Sequence, residues 1–256
     1  MKKMKFTIIT VTYNNLYGLQ KTQKSIQNQS FRDFEWIVVD GNSTDGSKSF
    51  LKHQNATVIS EPDDGIYDAM NKGKNKAKGD YLLFLNAGDS LASPYILETV
   101  EQEIKAVQQS PTLIYGDSYE DQQLKTAKDH KRIEQGLFTH HQAIFYAREE
   151  TLNLNYDTNY KIAADYKFTA SILLKKNQDV LYIPLPICIF ESGGISQKNA
   201  YLGRKEQYKI RQELNICSVP INILIYAAQT LIWQLHLYLP NLYWHLKSSC
   251  NNHRGS

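Results

Sequence analysis

The sequence predicts an α/β protein, a mostly parallel sheet flanked by helices, with a hydrophobic helical appendage at its C-terminal end. Three observations carry that expectation. Short β-branched and aromatic runs alternate with segments of helical periodicity through residue 85, the order that builds parallel sheets with both faces covered. A length of 256 residues suits one large core, with room for an appendage but not for two full domains. No Asp, Glu, Lys or Arg occurs between Glu213 and Lys247, a segment crowded with Ile, Leu, Trp and Tyr.

Taken in order, Phe6–Tyr13 reads as the first strand. The basic Met1–Lys5 before it resembles the start of a signal peptide, but the run that follows is short, β-branched and lacks a small-residue cleavage site. A helix is expected around Leu16, Leu19 and Ile26, a second strand over 34–40, a Ser/Thr/Asp-capped helix from near Thr44 and a third strand over 57–60. From Gly65 to Lys78, Ile66, Ala69, Met70, Gly73 and Ala77 recur at helical spacing and define a buried stripe, with Asp64, Asp68, Asn71 and Asn75 opposite. A buried strand follows at Tyr81–Leu85. Later strands are expected at Leu113–Asp117 and Gln142–Tyr146, and a helix at Asp165–Lys176 on the stripe Tyr166, Thr169, Ala170, Leu173 and Leu174. Two short strands, 180–183 and 187–190, flank Pro184 and Pro186, and Gly193-Gly194 suggests a mobile loop.

Residues 1–200 are assigned to the sheet domain and 201–256 to the helical segment. Asn222, Gln229, Gln234, His236 and Pro240 interrupt the latter, and a spanning helix needs about 20 predominantly apolar residues, so attachment to a membrane surface is preferred over crossing. Packing on the domain or on a second subunit is the alternative. Twenty-nine Lys and Arg against 26 Asp and Glu give a mildly basic chain without a like-charge block, which argues against a nucleic-acid partner. Cys188, Cys217 and Cys250 are scattered, not at metal-ligand spacing, and fit reduced thiols in the cytoplasm.

The chemistry concentrates in Ser60–Gly73 and Asn86-Ala87-Gly88-Asp89. A polar helix face joined to a carboxylate past a buried strand suits a phosphorylated sugar donor and its neutralising cation, because carboxylate and phosphate do not sit together without a metal. Asp89 falls at the carboxyl edge, where such sheets place ligands; a turn Asp after Gly88 is its plainer reading. For Asp68 and Lys72 the plainer reading is an exposed pair one turn apart.

With Ile9–Asn15, Trp36–Gly46, Ser60–Gly73, Phe84–Asp89, His141-Gln142 and Ile162–Tyr166 in this order, the chain resembles glycosyltransferase family 2, inverting enzymes of the GT-A fold, and in particular its bacterial branch that builds O-antigen and exopolysaccharide. The match spans about residues 5–200. The resemblance implies that Thr10, Val11, Tyr13 and Asp40 border the nucleotide, that Asp68, Asn71, Lys72, Asn86 and Ala87 border the donor diphosphate or sugar, and that Asp89 holds Mn²⁺ or Mg²⁺. It implies His141 near the diphosphate or acceptor and Asp165 as general base. An aromatic plane and a carboxylate acceptor are suited to a uracil or guanine base. Asn86 and Gly88, and likewise Gly41, stand where such enzymes often carry acids, so weaker metal affinity or metal independence is open. Without the resemblance, Asp40 would be a turn residue, Asp165 a helix cap and His141 a neutral core or surface histidine.

The reading that results is a cytoplasmic enzyme on the inner membrane face, moving a sugar from a UDP-sugar, or next a GDP-sugar, to a polyprenyl-diphosphate-linked saccharide. A non-catalytic binding protein of the same fold is the rival. A nucleotidyltransferase would need a glycine-rich phosphate loop after the first strand, which Asn14–Gly18 does not supply. The transferred sugar depends on pocket contacts within about 115–165 and 193–200.

Overall fold

A computed structural model describes residues 4–175 and 178–239. Strands β1 (Phe6–Thr12), β2 (Phe34–Asp40), β3 (Thr57–Ser60) and β4 (Tyr81–Phe84) run parallel in the spatial order β3-β2-β1-β4. Their side chains divide strictly by parity. Ile9, Val11, Ile37, Val39, Leu82 and Phe84 enter one core, and Phe6, Ile8, Trp36, Val38, Tyr81 and Leu83 the other. Both cores are dry because helices cover both faces: α1 (Leu16–Gln27), α2 (Ser47–Leu51) and α4 (Ile96–Ala106) on the second, and α3 (Ile66–Lys76) on the first. Gly73 lets α3 lie close to the sheet, since a Cβ there would meet Ile9 Cγ2 at 2.5 Å.

Parallel order stops at β4. Strands β5 (Ser90–Leu91), β6 (Leu113–Glu120), β7 (Gln123–Lys125), β8 (Ile144–Ala147) and β9 (Val180–Phe190) complete the sheet, with β8 antiparallel to both β4 and β6. The α/β class holds, and the sheet is mixed beyond residue 84. The two strands expected around Pro184 and Pro186 are one strand, β9. Its pairing with β6 slips between Gly116↔Ile183 and Asp117↔Pro186, so the prolines occupy the irregularity, where no ladder N–H is required of them.

Other boundaries move for local reasons. The helix expected from Thr44 starts at Ser47 after Gly46, whose φ of 99° no L-residue adopts easily. In α3 the buried residues include Tyr67 and Lys74, while Ile66 is exposed, so the stripe is rotated from the expected one. Gln142 lies in a 3₁₀ turn that precedes β8. Helix α5 (Arg148–Thr151) follows β8, and α6 (Ala164–Leu173) ends before Lys176, which is outside the described residues.

Packing does not end at residue 200. After α7 (Ile195–Lys198), helix α8 (Ala200–Glu213) sends Ile210 into the first core and Arg211, 0% exposed, toward Asn222 Oδ1 at 2.6 Å. Helix α9 (Val219–Tyr238) packs on α8 but leaves Ile221, Leu224, Leu231 and Ile232 exposed. Among the described residues no helix is long and apolar enough to cross a membrane. Cys188 is buried and Cys217 half-buried, both free; Pro240, Leu242, Tyr243, Trp244 and Cys250 lie outside the described residues.

Candidate active site

A cleft of about 1670 Å³ opens at the carboxyl ends of β1 and β4 and runs to α8 and α9, the position at which open α/β sheets bind ligands. Val11, Tyr13, Asn86, Ala87, Asp89, His141 and Asp165 all line it. Residues far apart in sequence are therefore brought together as expected.

Asp165 is the second residue of α6, after Ala163 at the cap, and its side chain takes up a free N–H of the first turn. Its Oδ1 accepts from the Tyr166 N–H at 2.8 Å and faces the Tyr67 hydroxyl at 3.5 Å. Its Oδ2 lies 3.3 Å from His141 Nδ1. The far ring nitrogen of His141, Nε2, is 3.4 Å from Asn86 Nδ2. A proton on Nδ1 satisfies both contacts: the imidazole donates to Asp165 and accepts from the Asn86 amide. Asn86, His141 and Asp165 thus form one polar chain across the cleft.

The loop before Asp165 is held from a distance. Glu206, on α8, accepts the backbone N–H groups of Lys161, Ile162 and Ala163, each at 2.9 Å. Tyr67 donates to Ile162 O at 2.7 Å, and burial together with the Asp165 charge pushes its phenol well up, so it stays a proton donor.

Asp89 is 3% exposed. Gln142 Nε2 donates to its Oδ2 at 2.8 Å, and the Glu191 N–H donates to Oδ1 at 2.9 Å. Burial raises its pKa to about 6. The turn that carries it is knotted by Thr22, whose hydroxyl takes the Gly88 N–H at 3.0 Å and faces Asp89 O at 2.6 Å.

The two glycines standing where acids were expected have carboxylates from elsewhere in their place. A Cβ on Gly41 would meet Asp63 Oδ2 at 2.5 Å, and one on Gly88 would collide with Glu191 Oε2. Both Asp63 and Glu191 line the cleft, and Tyr13 presents an exposed ring beside Gly41.

Thr10, Asp40, Asp68, Asn71 and Lys72 do not line it; their polar atoms are committed to the fold. Thr10 accepts from Trp36 Nε1 at 3.0 Å. Asp40, 0% exposed, accepts from the Ser43 N–H and from the Ser60 hydroxyl at 2.7 Å. Asn71 pairs with the backbone of Tyr156 in both directions. Lys72 donates to Pro62 O at 2.7 Å and bridges Glu61 and Asp68, while Asp68 accepts the Asp64 N–H at 3.2 Å. These last two therefore shape the loop that presents Asp63 and Asp64. Tyr67, Asp63, Glu191 and Glu206 were missed. Asp63 and Tyr67 sit inside the run already singled out, and Glu191 directly precedes Ser192 and the paired glycines; nothing local marks Glu206.

Among the described residues no three His, Cys, Asp or Glu side chains converge as a metal cluster. The donor set still fits a hard cation that takes most of its ligands from a diphosphate and water: each Asp89 oxygen carries one hydrogen bond and retains a lone pair, and Asn86 Oδ1 is buried without a partner.

The sequence profile described as Glycosyl transferase family 2 matches residues 7–197. An uncharacterized glycosyltransferase of Mycobacterium tuberculosis is 41% identical over 105 residues, 40% of this chain and 39% of that one. The match thus spans well under half of that relative's length. A PGL/p-HBAD biosynthesis glycosyltransferase of Mycobacterium bovis is 32% identical over 205 residues, covering 75% and 78%. A GalNAc(5)-diNAcBac-PP-undecaprenol β-1,3-glucosyltransferase of Campylobacter jejuni is 35% identical over 101 residues, covering 35% and 31%. Among solved structures, S. aureus TarS 1–349 in complex with UDP-GlcNAc superposes with a TM-score of 0.70 at 18% identity, over 89% of this chain and 72% of that one. The mannosyltransferase PcManGT from Pyrobaculum calidifontis, in complex with GDP-Man and Mn²⁺, gives 0.63 at 15% identity, over 96% and 79%. At these identities the structural likeness establishes the fold.

Proposed function

The chain belongs to glycosyltransferase family 2, and on that premise we propose that it is a glycosyltransferase that inverts the anomeric centre of a UDP-sugar, or next a GDP-sugar, while transferring the sugar to a polyprenyl-diphosphate-linked saccharide in cell-surface polysaccharide assembly. The observation that carries this is the chain Asn86–His141–Asp165, which spans the cleft between the strand end bearing Asp89 and the loop held by Glu206.

In an inverting step the acceptor hydroxyl attacks the anomeric carbon from the face opposite the leaving group. A C–O bond to the acceptor forms as the C–O bond to the nucleoside diphosphate breaks, and the hydroxyl proton passes to Asp165. Asp165 is suited to this because the first turn of α6 and the His141 Nδ1–H hold its carboxylate aimed into the cleft. Asp89, with the amide oxygen of Asn86 and the neighbouring Glu191 carboxylate, would hold a divalent cation, Mn²⁺ or Mg²⁺. Bound there, the cation offsets the charge that develops on the diphosphate. The exposed ring of Tyr13 offers a face for the base, and Asp63 an acceptor for an imide N–H.

The lipid-linked acceptor is supported by the similarity to the Campylobacter undecaprenol-linked glucosyltransferase and by the exposed Ile221, Leu224, Leu231 and Ile232 of α9, which suit shallow attachment to the inner face of the cell membrane in the cytoplasm. Calorimetric titration with UDP and with GDP, each with and without Mn²⁺, tests the donor site. Mn²⁺-dependent binding of one nucleotide, lost in Asp89→Ala, is expected. Binding of neither nucleotide under any condition overturns the reading in favour of a non-catalytic protein of this fold.

A further inference from the structure

The cleft continues past Asp165 to an end built by α8 and α9, which the donor chemistry does not use. There Arg204 lays its guanidinium over the indole of Trp233, with Cζ 4.5 Å from the ring centroid, and both residues line the cleft. Its Nε and Nη2 are shielded from water and have no hydrogen-bond partner. No carboxylate pairs with it among the described residues, and burial lowers its pKa. A guanidinium with five donors in a planar fork is poorly served by such a place unless an anion completes it, because a half-buried charge without a counter-charge is costly.

Its position also matters. Gly203, the residue before it, packs against Ile162, whose Cγ2 would meet a Cβ there at 3.0 Å, and Glu206, two residues on, clamps the loop leading to Asp165. Arg204 is therefore fixed to the same loop as the base, and Lys161 of that loop lines the cleft as well. Along α9 lie the exposed apolar residues Ile221, Leu224, Leu231 and Ile232, the last of them lining the cleft as well. An acceptor that is apolar at one end, anionic in the middle and hydroxylated at the other matches this order of surfaces.

Resting on the acceptor class proposed above, we propose that Arg204, stacked on Trp233, seats the diphosphate group of the acceptor. The planar fork suits two phosphate oxygens, and the indole holds the fork's other face and fixes its plane. Arg204 is a positioning residue: it holds the acceptor and does not touch the reacting carbon.

Farnesyl diphosphate serves as a soluble probe, titrated calorimetrically into the full-length protein beside UDP with Mn²⁺, farnesol and inorganic pyrophosphate. Farnesyl diphosphate is expected to bind the wild type, farnesol far more weakly, and Arg204→Gln to lose at least tenfold in affinity for farnesyl diphosphate while UDP affinity stays within twofold. Arg204→Lys should recover only part, because the fork is lost, and Trp233→Leu should weaken binding in the same direction. Equal binding by wild type and Arg204→Gln overturns the inference and leaves the transferase reading standing. A parallel loss of UDP affinity also overturns it, since Arg204 would then serve the donor. A loss confined to phosphatidylglycerol vesicles, with soluble farnesyl diphosphate unaffected, overturns it in favour of a lipid headgroup. Failure of the wild type to bind farnesyl diphosphate while it binds UDP instead sinks the acceptor class itself.

Discussion

Asp40, Asp89 and Thr22, at the strand end of the molecule, spend their polar atoms on the protein itself, whereas Arg204, at the helix end, keeps two nitrogens without a partner and sits beside exposed leucines and isoleucines. The first region is braced before any ligand arrives, with only Asn86 Oδ1 and the spare lone pairs of Asp89 left open. The second, on the inference drawn above, is completed by a ligand. A donor is common to many reactions and calls for a rigid, prearranged seat, while the acceptor proposed above would present an apolar part and a charged part at once.

If the difference is real, substitutions at the two ends should separate function from stability in opposite ways. The largest effect is expected for Asp165→Asn, which should lower kcat by roughly 1,000-fold with UDP affinity unchanged; initial rates beside calorimetry measure it, and unimpaired turnover would remove the base assignment. Glu206→Gln replaces an acceptor of three N–H groups with one that presents its own amide donors, so unfolding stability should fall by about 2–3 kcal/mol in denaturant titration, with a drop in kcat because the Asp165 loop loosens.

The buried Asp89 makes a pH prediction. Its folded pKa of about 6 lies above the unfolded carboxylate value of about 3.9, so between those values the folded state binds the extra proton. Stability should then fall as pH rises through that window, by about 2–3 kcal/mol. Unfolding in chelator at pH 4 and pH 7.5 tests this, and Asp89→Asn should lack the slope. Gly88→Ala meets the Glu191 carboxylate at a φ of 108° and should cost about 1–2 kcal/mol. At the helix end the expectation reverses: Arg204→Met should change stability by no more than about 0.5 kcal/mol. A large loss there would mean that Arg204 is structural and would erase the contrast between the two ends.

The strand end was also the part legible in the sequence. Phe6–Thr12, Phe34–Asp40 and Tyr81–Phe84 are local apolar runs, and a run buried on both faces announces itself without tertiary knowledge. Asp89 could be picked out by its place past a buried strand, and His141 and Asp165 through the resemblance, which the ordered set of segments carries and no one of them alone. Asp40 was legible only as the turn alternative: its bond to the Ser43 N–H, three residues on, is local, while the bond from Ser60 comes from the end of β3. The carboxylates beside Gly41 and Gly88 were not legible: an absent side chain is visible in a sequence, but the group that fills its space is not. The interruption at Pro184 and Pro186 read as a break because a bulge against β6 leaves no local trace.

The Glu206 clamp has a consequence for the order in which this protein comes into being. Residues 161–163 acquire three of their hydrogen bonds only from a side chain 43 to 45 positions later, so the segment that presents Asp165 has no local template. During synthesis β2 pairs with β1 across 28 positions and β3 with β2 across 20, and β4 returns to β1 across 75, all before α8 is made, while the base loop must wait for α8 to emerge and close onto it. A chain shortened to residue 200 would be expected to assemble its first four strands and still leave Asp165 unaimed, which makes catalytic competence one of the last properties the nascent protein gains.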